Sequence, residues 1–474
     1  MSYERYIGEK LKSAKKLYLI GLDSVPLWLL EELKGTKGCG AIADFLSEGK
    51  VVEMESTLPP ITGPAWPSIY TGLAPPDHGV PDFFAIKRDY SPDVVFYDPY
   101  KYPPFWEALA ESGLKCLVVT PATDTDMPKS KNIDMITGFP LESKPSGSGV
   151  ERMMRKHGFS GEPDVEHEIK EGRLGIAAAA KILEGTVRKR VDLSIEMMES
   201  QGYDFVFVCF TETDRLQHFV LGMGDYRKRL VPIYREAFRL VDYVRRRAKA
   251  EQGAVMLASD HGAQPIRSKF LLNQFLMQEG YITLGKEAAA AQKGLASKPK
   301  AERFARVHLL DYDMRGTKAF GAVSYDPVAT IWINDGRFSK GAVARKERVK
   351  LKLEIIRALK GVKSREGDPV FVDVFDADPY YHGTRKFIAP DIFAQAKRGY
   401  TVDIFNLSPS SLFMPPEAPK SGDHIRHGIF GVYPRDVGIA CEDFSVLNVA
   451  PTILQYFGKR PPGKTLRNSR YRAR

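Results

Sequence analysis

Three stretches of the chain put a metal-binding side chain just after an apolar, strand-like run: Gly21-Leu22-Asp23, Asp214-Arg215-Leu216-Gln217-His218 and Ser259-Asp260-His261-Gly262. A fourth, Ile61-Thr62-Gly63-Pro64, offers a hydroxyl from a proline-stiffened loop, and a fifth, Gly422-Asp423-His424, adds an imidazole far along the chain. Together Asp23, Asp214, Asp260, His218, His261, His424 and Thr62 are the donors of a two-metal site built round a hydroxyl nucleophile. Such a site suits in-line displacement at phosphorus or a similar centre, because two cations can hold the attacking and the leaving oxygen at once.

Each piece alone has a plainer reading. Asp23 could be a turn former or helix N-cap, and Asp260-His261-Gly262 an ordinary turn. Asp214 and His218 share one face if they lie on a helix, but such pairs are usually surface contacts. Thr62 is the most informative residue. Pro60 and Pro64 stiffen the chain around it, and Gly63 lets the backbone approach a ligand. A helix starting near Pro64 would turn free N–H groups toward an anion beside the Thr62 hydroxyl. The alternative is a Pro-rich loop whose Thr is an N-cap. It is the combination that favours chemistry.

The elements that must position these residues are also legible. Strand-like runs occur at Leu17–Leu22, Cys116–Val119, Phe205–Phe210 and Ala254–Ala258. Helical patterns lie between them, one over 232–250 with Ile233, Ala237, Leu240, Val241 and Val244 on one side and Pro232 near its start. The alternation predicts an α/β fold with a mainly parallel central sheet and helices on both faces. Ligands of such sheets gather at the carboxyl ends of the strands. Asp23, Asp214 and Asp260 all closely follow strand runs, so they can converge although far apart in sequence. Residues 265–420 separate the Asp260-His261 pair from His424 and read as an inserted cap or substrate-choosing domain, with a helix over 342–359 and strands over 329–333 and 370–375. The catalytic core would then be 1–264 and 421–474. The plainer reading is that 265–420 continues the core.

These motifs resemble the alkaline phosphatase superfamily, in its type I phosphodiesterase/nucleotide pyrophosphatase branch, and within it the predicted phosphohydrolase/phosphomutase group. The likeness rests on Gly21-Leu22-Asp23, residues 59–79, Thr213-Asp214-Arg215-Leu216-Gln217-His218, Ser259-Asp260-His261-Gly262, Gly422-Asp423-His424 with Gly428-Ile429-Phe430, and Val449-Ala450-Pro451-Thr452-Ile453-Leu454. It implies an alkaline-phosphatase-like fold and two metals, one held by Asp23, Thr62, Asp260 and His261, the other by Asp214, His218 and His424. His427 competes with His424, which fits the spacing Gly422, His424, Gly428 better. His78 belongs to the motif but not to the implied ligand set, and reads as structural. Nucleotide pyrophosphatases carry an Asn three residues after the nucleophile. Here Ala65 stands there, so the resemblance implies phosphoester cleavage without implying nucleotide pyrophosphatase activity.

The implied reaction is two-step. The Thr62 hydroxyl, activated at the first cation, attacks phosphorus and becomes a phosphothreonine. The second cation steadies the leaving oxygen and serves the water that releases phosphate. The Gly63 N–H would help to stabilise the equatorial oxygens. Imidazole-rich ligation suits zinc, and the carboxylates leave manganese open. Three rivals stand beside this reading. A mutase resembling cofactor-independent phosphoglycerate mutase usually uses Ser, and a sulfatase needs a Cys or Ser that Thr62 cannot replace. A non-catalytic polyanion-binding protein would rest on the basic tail alone.

Composition bounds the rest. With 474 residues, 43% hydrophobic and 27% charged, the chain can bury a large core in two or three domains. No apolar run approaches the roughly 20 residues needed to span a membrane, and the polar, Lys-rich residues 1–16 lack the apolar centre of a signal peptide. Cys39, Cys116, Cys209 and Cys441 are scattered without zinc-motif spacing, so a reducing cytoplasm is expected. Scarce Asn and Gln beside plentiful Lys, Arg and Glu lean toward a thermophile. Of the net charge of +10, seven come from Lys459, Arg460, Lys464, Arg467, Arg470, Arg472 and Arg474, a tail without acids. That tail is expected to be a solvated end, or a weak contact for a polyanion such as RNA or an anionic lipid head group.

Overall fold

A strand covered on both faces must be apolar at every position, and four strands of the central sheet begin and end where the apolar runs do. They are β1 (Leu17–Leu22), β3 (Cys116–Val119), β5 (Phe205–Phe210) and β6 (Ala254–Ala258), each wholly buried. The sheet is completed by β2 (Lys50–Glu55), β4 (Ile133–Ile136) and β7 (His427–Tyr433), in the order β2-β7-β6-β1-β5-β3-β4. Pairings from β6 through β4 are parallel. Only β7 runs against its neighbours. The computed structural model that shows this describes residues 16–459 except 124–125, 140–141, 296–304, 307, 323–326, 382–386, 409 and 438–442.

Alternate side chains of the strands point to opposite faces. On one face, Trp66 and Tyr70 of helix α1 (Thr62–Thr71) pack with Phe207 of β5, and Trp106 packs with Tyr70 and Phe207, ring centroids 4.8–6.1 Å apart. Gly21 of β1 faces the same way. A Cβ there would lie 2.7 Å from Trp66 Cη2, so only glycine admits the indole this close to the strand. On the other face, Tyr18, Ile20, Leu22, Val206, Val208 and Phe210 join a core with Leu183 and Val187 of helix α2 (Ile176–Ser200) and Ile233, Ala237, Leu240, Val241 and Val244 of helix α4 (Tyr226–Glu251). Between these helices in sequence lies the short helix α3 (Glu212–Val220).

Two helix boundaries differ from expectation. Helix α4 starts six residues before Pro232, which lies inside it. An interior proline costs about 3 kcal/mol, whereas burying each large apolar side chain of the opposite stripe contributes about 1.5–3 kcal/mol, so the stripe wins. The helix expected over 342–359 runs Arg348–Lys360. Ala342 and Val343 instead donate their N–H groups to Asn334 O.

The chain divides into two compact units: Met1–His78, Phe96–Ala263 and Pro419–Arg474 form one, Gly79–Val95 and Gln264–Ala418 the other. The sequence reading places 79–95 in the first part of the core, whereas the structure groups it with the second unit. That unit contains a four-stranded antiparallel sheet, in the order Ala319–Gly321, Val328–Ile333, Ile392–Ala396, Phe371–Asp376. Among the described residues no helix is long and apolar enough to cross a membrane. Cys39, Cys116 and Cys209 are buried free thiols. Cys441 and the basic tail beyond Lys459 lie outside the described residues.

Candidate metal centre

Strands β6, β1 and β5 are neighbours in the sheet; Asp260 and Asp23 lie in the loops after the first two, and Asp214 in the first turn of the helix after the third. Asp23 follows β1 directly, and its N–H donates to Phe210 O at the end of β5 (3.0 Å). Ser24 has φ 63°, a left-handed backbone that side-chain-bearing residues seldom adopt. Its N–H donates to Asp260 Oδ1 (3.2 Å) and its hydroxyl to Gly262 O (3.2 Å), while the Val25 N–H donates to Ser259 Oγ (2.6 Å). The loops after β1 and β6 are thereby tied together.

Helix α3 itself carries the third donor segment. Glu212 at its start receives two hydrogen bonds from the fully buried Arg190 of α2 (2.7 and 2.8 Å). The Thr213 hydroxyl donates to Asp23 O (2.6 Å) and Gln217 Nε2 to Ser24 O (2.9 Å). Asp214 and His218, one turn apart on this helix, then meet: His218 Nε2 lies 3.2 Å from Asp214 Oδ2. Helix α1 begins at Thr62 itself, two residues earlier than Pro64, with Ile61 as its N-cap. The Thr62 hydroxyl therefore sits at the helix's positive end, next to the Gly63 N–H.

The seven donors close into two adjoining sets. In the first, Thr62 Oγ1 is 3.4 Å from Asp23 Oδ1 and 3.4 Å from His261 Nε2, which is 3.1 Å from Asp260 Oδ2 and 3.7 Å from Asp23 Oδ1. In the second, His424 Nε2 is 3.1 Å from His218 Nε2 and 3.4 Å from Asp214 Oδ1. A tetrahedral cation with bonds of about 2.0–2.1 Å has donor–donor edges of about 3.3 Å, so both sets have the spacing of a coordination shell. The rings of His261 and His424 are 4.2 Å apart, which joins the sets. His427, the rival for the third imidazole, is exposed at the start of β7.

The chemistry of the donors fits cations as well as their spacing does. His218 Nδ1 and His261 Nδ1 each donate to a carbonyl, Gly422 O and Gly262 O (3.2 Å each), which leaves both Nε2 lone pairs facing inward. The buried Asp214 Oδ1 and Asp260 Oδ2 have imidazole neighbours but no well-formed hydrogen bond. Burial, then the charge of Asp260, raises the Asp23 carboxyl well above the usual range, and burial raises Asp260 to about 7. Burial also acts upward on Asp214, but His218 and then His424 outweigh it and hold that carboxyl well below the usual range. Burial keeps His261 neutral, its pKa far below the ordinary value. None of the three aspartates has a Lys or Arg ion partner among the described residues, so the natural compensation is a bound cation.

His78 stands apart from both sets. It is buried, its Nε2 lies 3.0 Å from Ser68 Oγ, and burial lowers its pKa to about 3, which fits a neutral structural side chain. Two contributors escaped the sequence reading. Trp66 Nε1 donates to Asp23 Oδ2 (2.9 Å), a contact between distant residues that no spacing announces. Asp423 is 1% exposed and groups with His218 and His424. Its place beside His424 was the available signal.

Comparison with known proteins agrees on the fold. A family model described as type I phosphodiesterase/nucleotide pyrophosphatase matches residues 17–411. No curated protein matches the sequence significantly. Among solved structures, phosphonoacetate hydrolase from Sinorhizobium meliloti 1021 in complex with phosphonoacetate is similar with a TM-score of 0.58 at 13% identity, over 94% of this chain and 96% of that one. The same enzyme with phosphonoformate gives 0.57 at 14%, with the same coverage. An inactive murine ectonucleotide pyrophosphatase/phosphodiesterase 5 in complex with AMP gives 0.50 at 13%, again over 94% and 96%.

Proposed function

The chain belongs to the type I phosphodiesterase/nucleotide pyrophosphatase family, and we propose that within it this protein is a two-metal phosphoester hydrolase working through a phosphothreonine at Thr62. The observation that carries the reading is the spacing of the seven donors, with the Thr62 hydroxyl as one of them at a helix N-terminus. Two divalent cations, zinc by the imidazoles or manganese by the carboxylates, would supply the Lewis acidity that a hydroxyl nucleophile and an alkoxide leaving group both need.

The chain's own residues do the rest. Asp23, Asp260 and His261 hold the nucleophile's side of the site, and Asp214, His218 and His424 the leaving group's side. Thr62 Oγ attacks phosphorus in line and the ester bond breaks on the opposite side. Water then releases phosphate from Thr62. The Gly63 N–H, aimed out of the first turn of α1, favours the charge that builds on the equatorial oxygens. Ala65 offers no side-chain amide to a substrate phosphate, so nucleotide pyrophosphatase activity is not part of this proposal. We assign the choice of substrate to the second unit. The buried free thiols suit a reducing compartment such as the cytoplasm.

The test is metal dependence. Dialysis against a strong chelator should remove two equivalents of metal, measured by mass spectrometry, and abolish hydrolysis of a small phosphoester. Zinc or manganese should restore both. Full turnover in metal-free protein would sink the proposal.

A further inference from the structure

Asp423 is a buried acid that the seven-donor set leaves unused. We infer that Asp423 is an additional residue of the second cation site, its carboxylate completing the set of Asp214, His218 and His424, with Lys420 as the counter-ion it holds until a divalent cation binds. This rests on the proposed two-metal reading.

Position comes first. A carboxylate oxygen of Asp423 and ring nitrogens of His218 and His424 all lie within 4.8 Å of one another. Opposite donors of an octahedral cation stand about 4.2 Å apart, so this spacing is close to that of a shared coordination shell. The segment is also firmly placed. The Ser421 N–H donates to His218 O (2.7 Å), His218 Nδ1 donates to Gly422 O (3.2 Å), and the His424 N–H donates to Asp423 Oδ1 (3.0 Å). The carboxylate is thus fixed beside both imidazoles.

Charge is the second argument. The first set contains two carboxylates, the second only Asp214 beside two imidazoles, which add no negative charge when they ligate a cation. A divalent cation bound by one carboxylate in a buried site keeps a net positive charge, which is costly there. Asp423 would balance it. Its ion-pair partner is Lys420, whose Nζ lies 3.1 Å from Asp423 Oδ1 and whose side chain is 29% exposed. A flexible ammonium at the protein edge can swing into water when a divalent cation takes its place.

Two variants of the full chain test this: Asp423→Asn, which keeps the shape and loses the charge, and Lys420→Met, which removes the competing ammonium. Zinc and manganese stoichiometry and affinity are read by competition with a chromophoric chelator. The parent should bind two equivalents. Asp423→Asn should keep the first and bind the second at least tenfold more weakly, and Lys420→Met should bind the second several-fold more tightly. Parent-like affinity for both metals in Asp423→Asn overturns the inference. If that variant does not fold, an unchanged or weaker second affinity in Lys420→Met overturns it equally. A parent chain that binds no metal would instead bring down the two-metal reading itself.

Discussion

The two oxygens of Asp23 have separate partners. Oδ1 faces the Thr62 hydroxyl, and Oδ2 accepts from the Trp66 indole. The indole can reach it because Gly21, two residues earlier, has no side chain in the way. Neither Trp66 nor Gly21 would touch a cation, yet both fix the angle at which Asp23 meets one. Removing such an outer partner typically costs about 10–100-fold in metal affinity or activity. Trp66→Phe, which keeps an aromatic ring against Tyr70 and Phe207, should therefore fold normally but lose metal affinity and turnover in that range. Parent-like affinity and kcat in this variant would mean that the indole hydrogen bond is incidental.

Helix α3 concentrates the order of the site into nine residues. Glu212 anchors it to Arg190, Thr213 and Gln217 grip the loop after β1, and Asp214 and His218 face the second set. Breaking one partner of a buried ion pair leaves an uncompensated charge and costs about 3–5 kcal/mol. Arg190→Met should lower stability by that amount in denaturant melts, and Arg190→Met with Glu212→Gln should recover part of it. A double variant no better than the single would mean that the pair does not act as a unit. How far such features were legible depended on whether their signal is local. The runs that became β1, β3, β5 and β6 were read to the residue, because a strand buried on both faces must be continuously apolar. Strand β7 opens with His427 and Gly428 and carries no such run. Asp23, Asp214 and Asp260 were visible because each closely follows a strand. The roles of Trp66, Arg190 and Asp423 were not, since each acts through a residue distant in sequence or, for Asp423, through a neighbour whose direction only the fold sets.

At the scale of the molecule, the donors of the site come from residues 23 to 424, so the site exists only when the whole of the first unit is folded. The basic tail supplies none of them. Removing residues 460–474 should leave turnover of a small soluble phosphoester nearly unchanged and weaken any binding to RNA or anionic vesicles, most clearly at low salt. A large loss of small-substrate turnover in a well-folded truncation would place the tail in the active site. The central claim is that the phosphoryl group passes through Thr62, and brief mixing with substrate, acid quench and peptide mass spectrometry test it most directly. The account predicts phosphate on Thr62 in the parent, none in Thr62→Ala, turnover lower by several orders of magnitude in Thr62→Ala although part of the metal remains, and measurable activity in Thr62→Ser. Phosphate on another residue, or a Thr62→Ala variant that turns over like the parent, would contradict it.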